Sequence, residues 1–288
     1  MKFVSFKPEA GAAYRPGVIR DGTLIDLTSP ASDPDWDTSG LDGVLYRYTS
    51  NPDDVSAVIE AAIDYGSTYD RNNVDIGPPV AEDARMIALG GAFASHLRIR
   101  GSSLNKVPSQ WIVPETSVVG PNDAIVLDER VVEDTRPAVE LGVVVGKSGT
   151  DIPESEAYDH VAGFTIVNDV TARTEWPGPM AYKLMDTFSP CGPHIVTADR
   201  IEDPHDLAVA IRQDDETICV GRTAGLRFTI SFMISYLSSV IPLRPGDIIS
   251  TGDPGDIQSP LRPGGTVELE IEDVGTLVNP VERANENK

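Results

Sequence analysis

Three stretches of this 288-residue chain hold the side chains best suited to polar chemistry. The first is Ala138-Val139-Glu140-Leu141-Gly142-Val143-Val144-Val145-Gly146, an apolar strand pattern broken by one carboxylate. A carboxylate there is costly to desolvate unless a cation or hydrogen-bond donors compensate it. On the strand alone, an outward-facing Glu140 on a half-exposed strand is the simpler account. The second is Val167-Asn168-Asp169-Val170-Thr171-Ala172-Arg173, where a polar pair ends the apolar run Phe164–Val167. A turn or helix-capping role for Asn168-Asp169 is as open as a ligand role. The third runs Lys183-Leu184-Met185-Asp186-Thr187-Phe188-Ser189-Pro190-Cys191-Gly192-Pro193. The chain has only six lysines (Lys2, Lys7, Lys106, Lys147, Lys183 and Lys288), so one beside Asp186 and a Pro-Cys-Gly-Pro turn favours a site role over a solvated surface position. Cys191 has the look of a nucleophile, but packing is the better account of it. His160, His194 and His205 show no metal-ligand spacing and receive no role.

The elements that must carry these residues are mostly strands. Met86–Leu89, Ala124–Leu127, Val139–Val145, Phe164–Val167, His194–Thr197, Leu207–Arg212, Asp247–Ser250 and Val267–Ile271 all read as short strands. Val267, Leu269 and Ile271 alternate with Glu268, Glu270 and Glu272, which predicts one wet face. Helices are expected at Pro153–Val161 and Thr229–Val240. The order is no βαβ series, which disfavours a doubly wound nucleotide-binding sheet, and no fixed-period repeat is present. Residues 1–75 form a smaller expected unit, with strands at Phe3–Phe6, Gly17–Arg20 and Thr23–Thr28 and an Asp21-Gly22 hairpin turn. A polar loop through Gly43 is expected next. A helix then starts at Asn51-Pro52-Asp53-Asp54, with Val55, Val58, Ile59, Ala62 and Ile63 on one face and Gly66 as its stop. Gly77-Pro78-Pro79 reads as a linker, so the expected domains are 1–75 and 80–288.

Bulk properties narrow the function classes. The 45 acidic and 23 basic residues give a net charge of −22, which opposes nucleic-acid binding. No apolar run reaches the ~18 residues that span a bilayer. Met1-Lys2-Phe3-Val4-Ser5-Phe6 lacks the apolar stretch and cleavage site of a signal peptide, so a cytoplasmic location is expected. Cys191 and Cys219 allow one bridge at most, and reduced thiols are the expectation. An acidic, lysine-poor surface suits a salt-rich cytoplasm, where screening weakens self-repulsion. Stability indifferent to salt would remove that reading.

Taken together, the three stretches resemble the catalytic domain of the fumarylacetoacetate hydrolase family. That family's strings run Glu-x-Glu-Leu, then Asn-Asp-x-Ser/Thr-Ala-Arg, then Lys-x-x-Asp-Thr/Gly-x-x-Pro-x-Gly-Pro. The second and third match here almost completely. Gly90–His96 follows the family's Gly-Leu-Asn-Tyr-x-x-His, and residues 243–252 and 274–281 continue the likeness in the same order. The implied fold is α+β and mostly β: a mixed β-sandwich roll with a small N-terminal α/β domain. A homodimer is also implied.

The implied chemistry is formation of an enolate from a small 2-oxo acid or β-diketo acid, stabilised by magnesium, manganese or calcium. Carried over by position, Glu140 and Asp169 are metal ligands. Lys183 neutralises the enolate or holds the substrate carboxylate, and Arg173 orients the substrate or braces the metal loop. Thr251 and Gly252 contact the carboxylate, Trp176 faces substrate, and His96 in a lid acts as or positions a base. C–C bond hydrolysis, the family's commonest reaction, is the leading expectation for this chain; decarboxylation, tautomerisation and dehydration are its rivals.

Several positions depart from the pattern. Ala138 replaces the first glutamate of Glu-x-Glu, which removes a metal ligand; magnesium tolerates this best, because it commonly keeps several waters. Glu129, Glu133 or Asp134 are candidates to compensate. Ile99 stands where the hydrolases often carry a water-activating glutamate. Thr174-Glu175-Trp176 replaces Asp-Leu-Gln, and Asp253 stands in Thr251-Gly252-Asp253-Pro254 where it disfavours an extra anionic group. A degenerate, ligand-binding pseudoenzyme is therefore the alternative, opposed by the retained Lys183, Asp169, Arg173 and Thr251. A plain β-rich interaction domain is a third.

Overall fold

The computed structural model describes residues 1–28, 40–65, 68–81, 83–95, 106–128, 134–173, 183–254 and 259–284. The N-terminal part forms β1 (Lys2–Lys7), β2 (Arg15–Arg20), β3 (Thr23–Asp26), α1 (Leu41–Ser50), α2 (Pro52–Asp64), β4 (Thr68–Asp70) and β5 (Asp75–Gly77). The β2–β3 hairpin turns on Asp21 and Gly22 at φ 50° and 80°, the left-handed pair that a right-twisted hairpin needs. Helix α2 starts as expected, with Pro52 in its first turn and Asp53 and Asp54 near its positive end. Two expectations fail here. Gly43 lies inside α1, because burying Leu41, Val44 and Leu45 outweighs the modest helix cost of one glycine. Ile63 sits at the margin of the apolar face of α2 and is 37% exposed.

The C-terminal part adds β6 (Met86–Gly90), β7 (Ser109–Ile112), β8 (Val118–Val119), β9 (Ile125–Leu127), β10 (Asp134–Arg136), β11 (Val139–Val145), β12 (Val161–Asn168), β13 (Thr171–Arg173) and β14 (Ser189–Thr197). It closes with β15 (Ala208–Gln213), β16 (Glu216–Arg222), α3 (Ile230–Val240), β17 (Ile248–Ser250), β18 (Thr266–Ile271) and β19 (Gly275–Arg283). The helix expected at Pro153–Val161 is a 3-10 helix over Glu154–His160.

One large mixed sheet runs β4-β3-β2-β1-β14-β12-β11-β17-β6-β7, with β5 on β1 and β8 on β14. A second, five-stranded sheet runs β16-β15-β18-β19-β9. Strands β11, β12 and β14 are buried along their whole length, because both faces of the large sheet are covered. On one face Val144, Ala162, Val167 and Ile195 meet Leu41, Val44, Leu45 and Val55 of α1 and α2. On the other, Val143, Phe164 and Ile166 meet Val209, Ile211, Leu269 and Leu277 of the second sheet and Met233 and Leu237 of α3. In β18 the aliphatic residues point inward and the glutamates outward, as their alternation predicts.

The boundary expected after residue 75 is crossed by the large sheet itself, since β1 pairs with β14 at Lys2↔Val196 and Phe3↔Ile195. A small cluster of Val4, Phe6 and Leu24 is built from N-terminal residues alone. No described helix is long and apolar enough to cross a membrane.

Candidate active site

The site forms where three neighbouring strands end together. Glu140 lies near the start of β11, opposite Val167 of β12, and Gly142 two residues on lies opposite Ser250 of β17. The Ser250 hydroxyl donates to Glu140 Oε2 at 2.5 Å, and the Gly252 N–H donates to the same oxygen at 2.9 Å. Gly252 has φ +88°, a conformation that L side chains rarely adopt, and a Cβ there would crowd Ala92 and the Leu89 carbonyl. Glu140 is 3% exposed, so the outward-facing alternative does not hold.

Asp169 follows directly on β12. Its N–H donates to the Ala138 carbonyl at 3.2 Å, while the Asn168 side chain accepts from the Ala138 N–H at 3.0 Å. Asn168 thus brackets the strand end, and Asp169 is left to face the site. The Lys183 ammonium donates to Asp169 Oδ2. The sequence expectations for Glu140, Asp169 and Lys183 therefore converge on one buried cluster.

Its electrostatics are unbalanced. Burial pushes the Glu140 carboxyl well above its ordinary range, the Asp169 charge adds to the rise, and Lys183 opposes it. Asp169 is raised by burial as well, against Lys183 and a hydrogen bond with Glu140. Burial alone would lower Lys183, but the charges of Asp169 and Glu140 outweigh it and keep the ammonium protonated. Asp253, 9% exposed, adds a further negative charge felt by all three groups. Two carboxyls at hydrogen-bonding distance need a proton or a cation between them.

The remaining expected residues separate into three groups. Thr251 is fully buried, and its hydroxyl has no hydrogen-bond partner among the described residues. The N–H of Gly252, expected on a substrate carboxylate, is directed to Glu140 instead. The backbone of Arg173 pairs with Asp134 across β13 and β10. The Arg173 side chain, His96, Ile99, Trp176, Glu129 and Glu133 lie outside the described residues. Asp134 is gripped by Arg136, with Nη2 at 2.7 Å from Oδ2. Cys191 is fully buried and its thiol is pushed up to about 12 by burial, consistent with packing. The pattern reading missed Ser250, a lone hydroxyl closing the apolar pair Ile248-Ile249. It also missed Trp111, whose ring centroid is 5.6 Å from Lys183 Nζ.

Residues 85–282 match the family profile described as Fumarylacetoacetate (FAA) hydrolase C-terminal. The chain belongs to the fumarylacetoacetate hydrolase family. The oxaloacetate tautomerase fahd2 of Xenopus laevis is 30% identical over 298 residues, covering 98% of this chain and 90% of that protein. Among solved structures, maleylpyruvate hydrolase from Sphingobium sp. SYK-6, in complex with manganese(II) and pyruvate, matches 99% of this chain and 100% of its own. Its TM-score is 0.80 at 26% identity. The 5-carboxymethyl-2-hydroxymuconate delta-isomerase from Mycobacterium smegmatis matches with TM-score 0.75 at 26% identity, over 99% of this chain and 100% of its own.

A divalent ion suits this family member's donor set only in part. Glu140 and Asp169 supply hard oxygen donors with surplus negative charge between them, the chemistry that magnesium or manganese selects. Among the described residues no group of three or more His, Cys, Asp or Glu side chains is arranged to hold a metal. Ala138 stands beside Asp169, where the family pattern has a glutamate. The residues therefore fit an ion that completes its shell with solvent or substrate oxygens.

Proposed function

We propose that this protein is an enzyme that enolises a small 2-oxo acid, exchanging keto and enol forms of an oxaloacetate-like substrate. The observation that carries this reading is the part-buried Lys183 ammonium set against Asp169 beside Glu140. In tautomerisation the C3–H bond breaks, its electrons form the C2–C3 double bond, and a proton is returned to the C2 oxygen. Negative charge therefore develops at that oxygen, and Lys183 would stabilise it. Glu140 and Asp169 would hold a magnesium or manganese ion, which when bound supplies Lewis-acid stabilisation to the same oxygen. Thr251, with its buried and unpaired hydroxyl, is proposed to receive the substrate carboxylate. On the family pattern, Arg173, Trp176 and His96 stay proposed as orienting residue, substrate contact and base.

The tautomerase-named relative spanning nearly the whole chain supports this subtype. C–C hydrolysis of an acylpyruvate is the second reading, supported by the hydrolase whose structure matches throughout. Ile99, in place of a water-activating glutamate, weighs against it. To decide, the protein with magnesium or manganese is mixed with enol-oxaloacetate, and separately with an acylpyruvate, while enol absorbance is followed. Accelerated loss of enol-oxaloacetate absorbance with no pyruvate formed supports tautomerisation. Release of a carboxylic acid and pyruvate from the acylpyruvate supports hydrolysis. No acceleration in either case, with or without metal, overturns the enzymatic reading, and oxalate binding by calorimetry would then leave a pseudoenzyme.

A further inference from the structure

Trp111 shares a face of the large sheet with Glu140. Gly142 lies opposite Ser250, Ser250 beside Ala88, and Ala88 opposite Trp111, across β11, β17, β6 and β7. Residues in register on adjacent strands face the same way, as do residues two apart on one strand. Glu140, Gly142, Ser250, Ala88 and Trp111 therefore stand on one side. The residues between Glu140 and Trp111 are small, so a long side chain can lie across them. Strand β7 is three strands from β11, roughly 14 Å at ordinary strand spacing. Its ring still reaches to 5.6 Å from Lys183 Nζ, the ammonium that holds Asp169.

The indole carries a second signal. Trp111 Nε1 is buried and has no hydrogen-bond partner among the described residues. A buried N–H left unpaired is costly, and a site that offers one discriminates against ligands that cannot accept from it. Gly90 also leaves room for the ring, since a Cβ there would sit 3.2 Å from its Cζ3.

We propose that Trp111 is a specificity-determining residue of this site. Its indole N–H donates to an oxygen at the far end of an extended 2-oxo acid, and its ring face confines the Lys183 ammonium. This inference rests on the reading of the site as an oxo-acid site. It selects acids with a carboxylate, carbonyl or hydroxyl oxygen several bonds beyond the 2-oxo group, over pyruvate-like acids without one.

The test uses two variants of the full chain with manganese present. Trp111→Phe keeps a ring but removes the donor, and Trp111→Leu removes both. With Trp111→Phe, the KM for oxaloacetate should rise about tenfold, the effect of one hydrogen bond, while the calorimetric Kd for pyruvate stays within about twofold. With Trp111→Leu, pyruvate binding should weaken as well, because Lys183 loses its stop. Equal weakening of both acids by Trp111→Phe, or of neither, overturns the donor role. Identical behaviour of the two variants overturns the ring's role. If the wild-type protein turns over no oxo acid, the proposed reaction fails by itself. The same comparison is then read from calorimetric Kd values for pyruvate and oxaloacetate, where retained discrimination in Trp111→Phe overturns the role of Trp111.

Discussion

Strand β17 has a buried carboxylate at each end, and the two are satisfied in opposite ways. Asp247, just before the strand, is fully buried and accepts from the Arg85 N–H at 2.9 Å and Arg85 Nε at 3.2 Å on Oδ1. Its Oδ2 takes the Arg85 Nη2 and the Arg244 N–H, the latter at 2.9 Å. At the other end, Ser250 and Gly252 both donate to a single oxygen of Glu140, and the neighbouring Asp169 shares one lysine with it. Burial alone therefore does not mark a site. Asp247 has its charge matched and its lone pairs used, which makes it a fastening between β17 and the start of β6. Glu140 and Asp169 carry charge that the protein leaves partly unmatched, and unmatched buried charge is what a cation and an anionic transition state can use.

The sharpest way to break this contrast is to neutralise the cation at the site. Lys183→Met should lower the enolisation rate by about 10²–10³-fold, the usual effect of removing one group that stabilises an oxyanion. Steady-state rates on enol-oxaloacetate measure it, and a variant as active as the wild type would show that Lys183 is structural. At the other end, Arg85→Ala should cost about 4 kcal/mol of stability in urea, because Asp247 is left buried without its partner. Activity per folded molecule should stay near wild type. Loss of activity without loss of stability would reverse the assignment of the two ends.

His194 offers a third kind of buried polar group, one that faces positive charge and not a partner of opposite sign. It is 4% exposed, and the Val274 backbone is the polar group that approaches its ring. Burial lowers its pKa to about 4, helped by the positive charges of Lys2, Arg71 and the N-terminal amine, with the Val274 backbone acting the other way. Because the folded value lies below the unfolded one near 6.5, the unfolded chain binds the proton more readily. Stability is therefore undiminished above about pH 6.5 and falls as the pH drops towards about 4. The loss is on the order of 3 kcal/mol. His194→Leu should flatten the denaturation midpoint across that window; an unchanged slope would show that other groups cause it.

How much of this is legible in the sequence depends on whether a feature is local along the chain. Glu140 could be singled out because one carboxylate among Val139, Leu141 and Val143 violates an apolar run, and Asp169 because it ends one. The β18 alternation and the Asp21-Gly22 turn were equally local. Ser250 and Trp111 were not, since their approach to the site depends on strand order: β17 lies parallel to β6, and β6 brings β7 behind it. No periodicity encodes that crossover. Helix α1 was missed for the opposite reason. Its glycine argues locally for a loop, and only the tertiary burial of Leu41, Val44 and Leu45 pays the helix cost.

The smallest expected effect tests the contrast most directly, because it has opposite signs at the two ends. Replacing Glu140 by Gln keeps an oxygen to accept from Ser250 and Gly252 but removes a charge that burial and Asp169 both oppose. Without metal, Glu140→Gln should be neutral or stabilising by about 1 kcal/mol. Asp247→Asn should instead destabilise, since an amide cannot accept on both sides as the carboxylate does from Arg85 and Arg244. Manganese titrated into the wild-type protein should raise its melting temperature, and the rise should vanish in Glu140→Gln. If Glu140→Gln loses stability as Asp247→Asn does, then Glu140 is a second fastening, and the case for a charge held in reserve for a ligand falls with it.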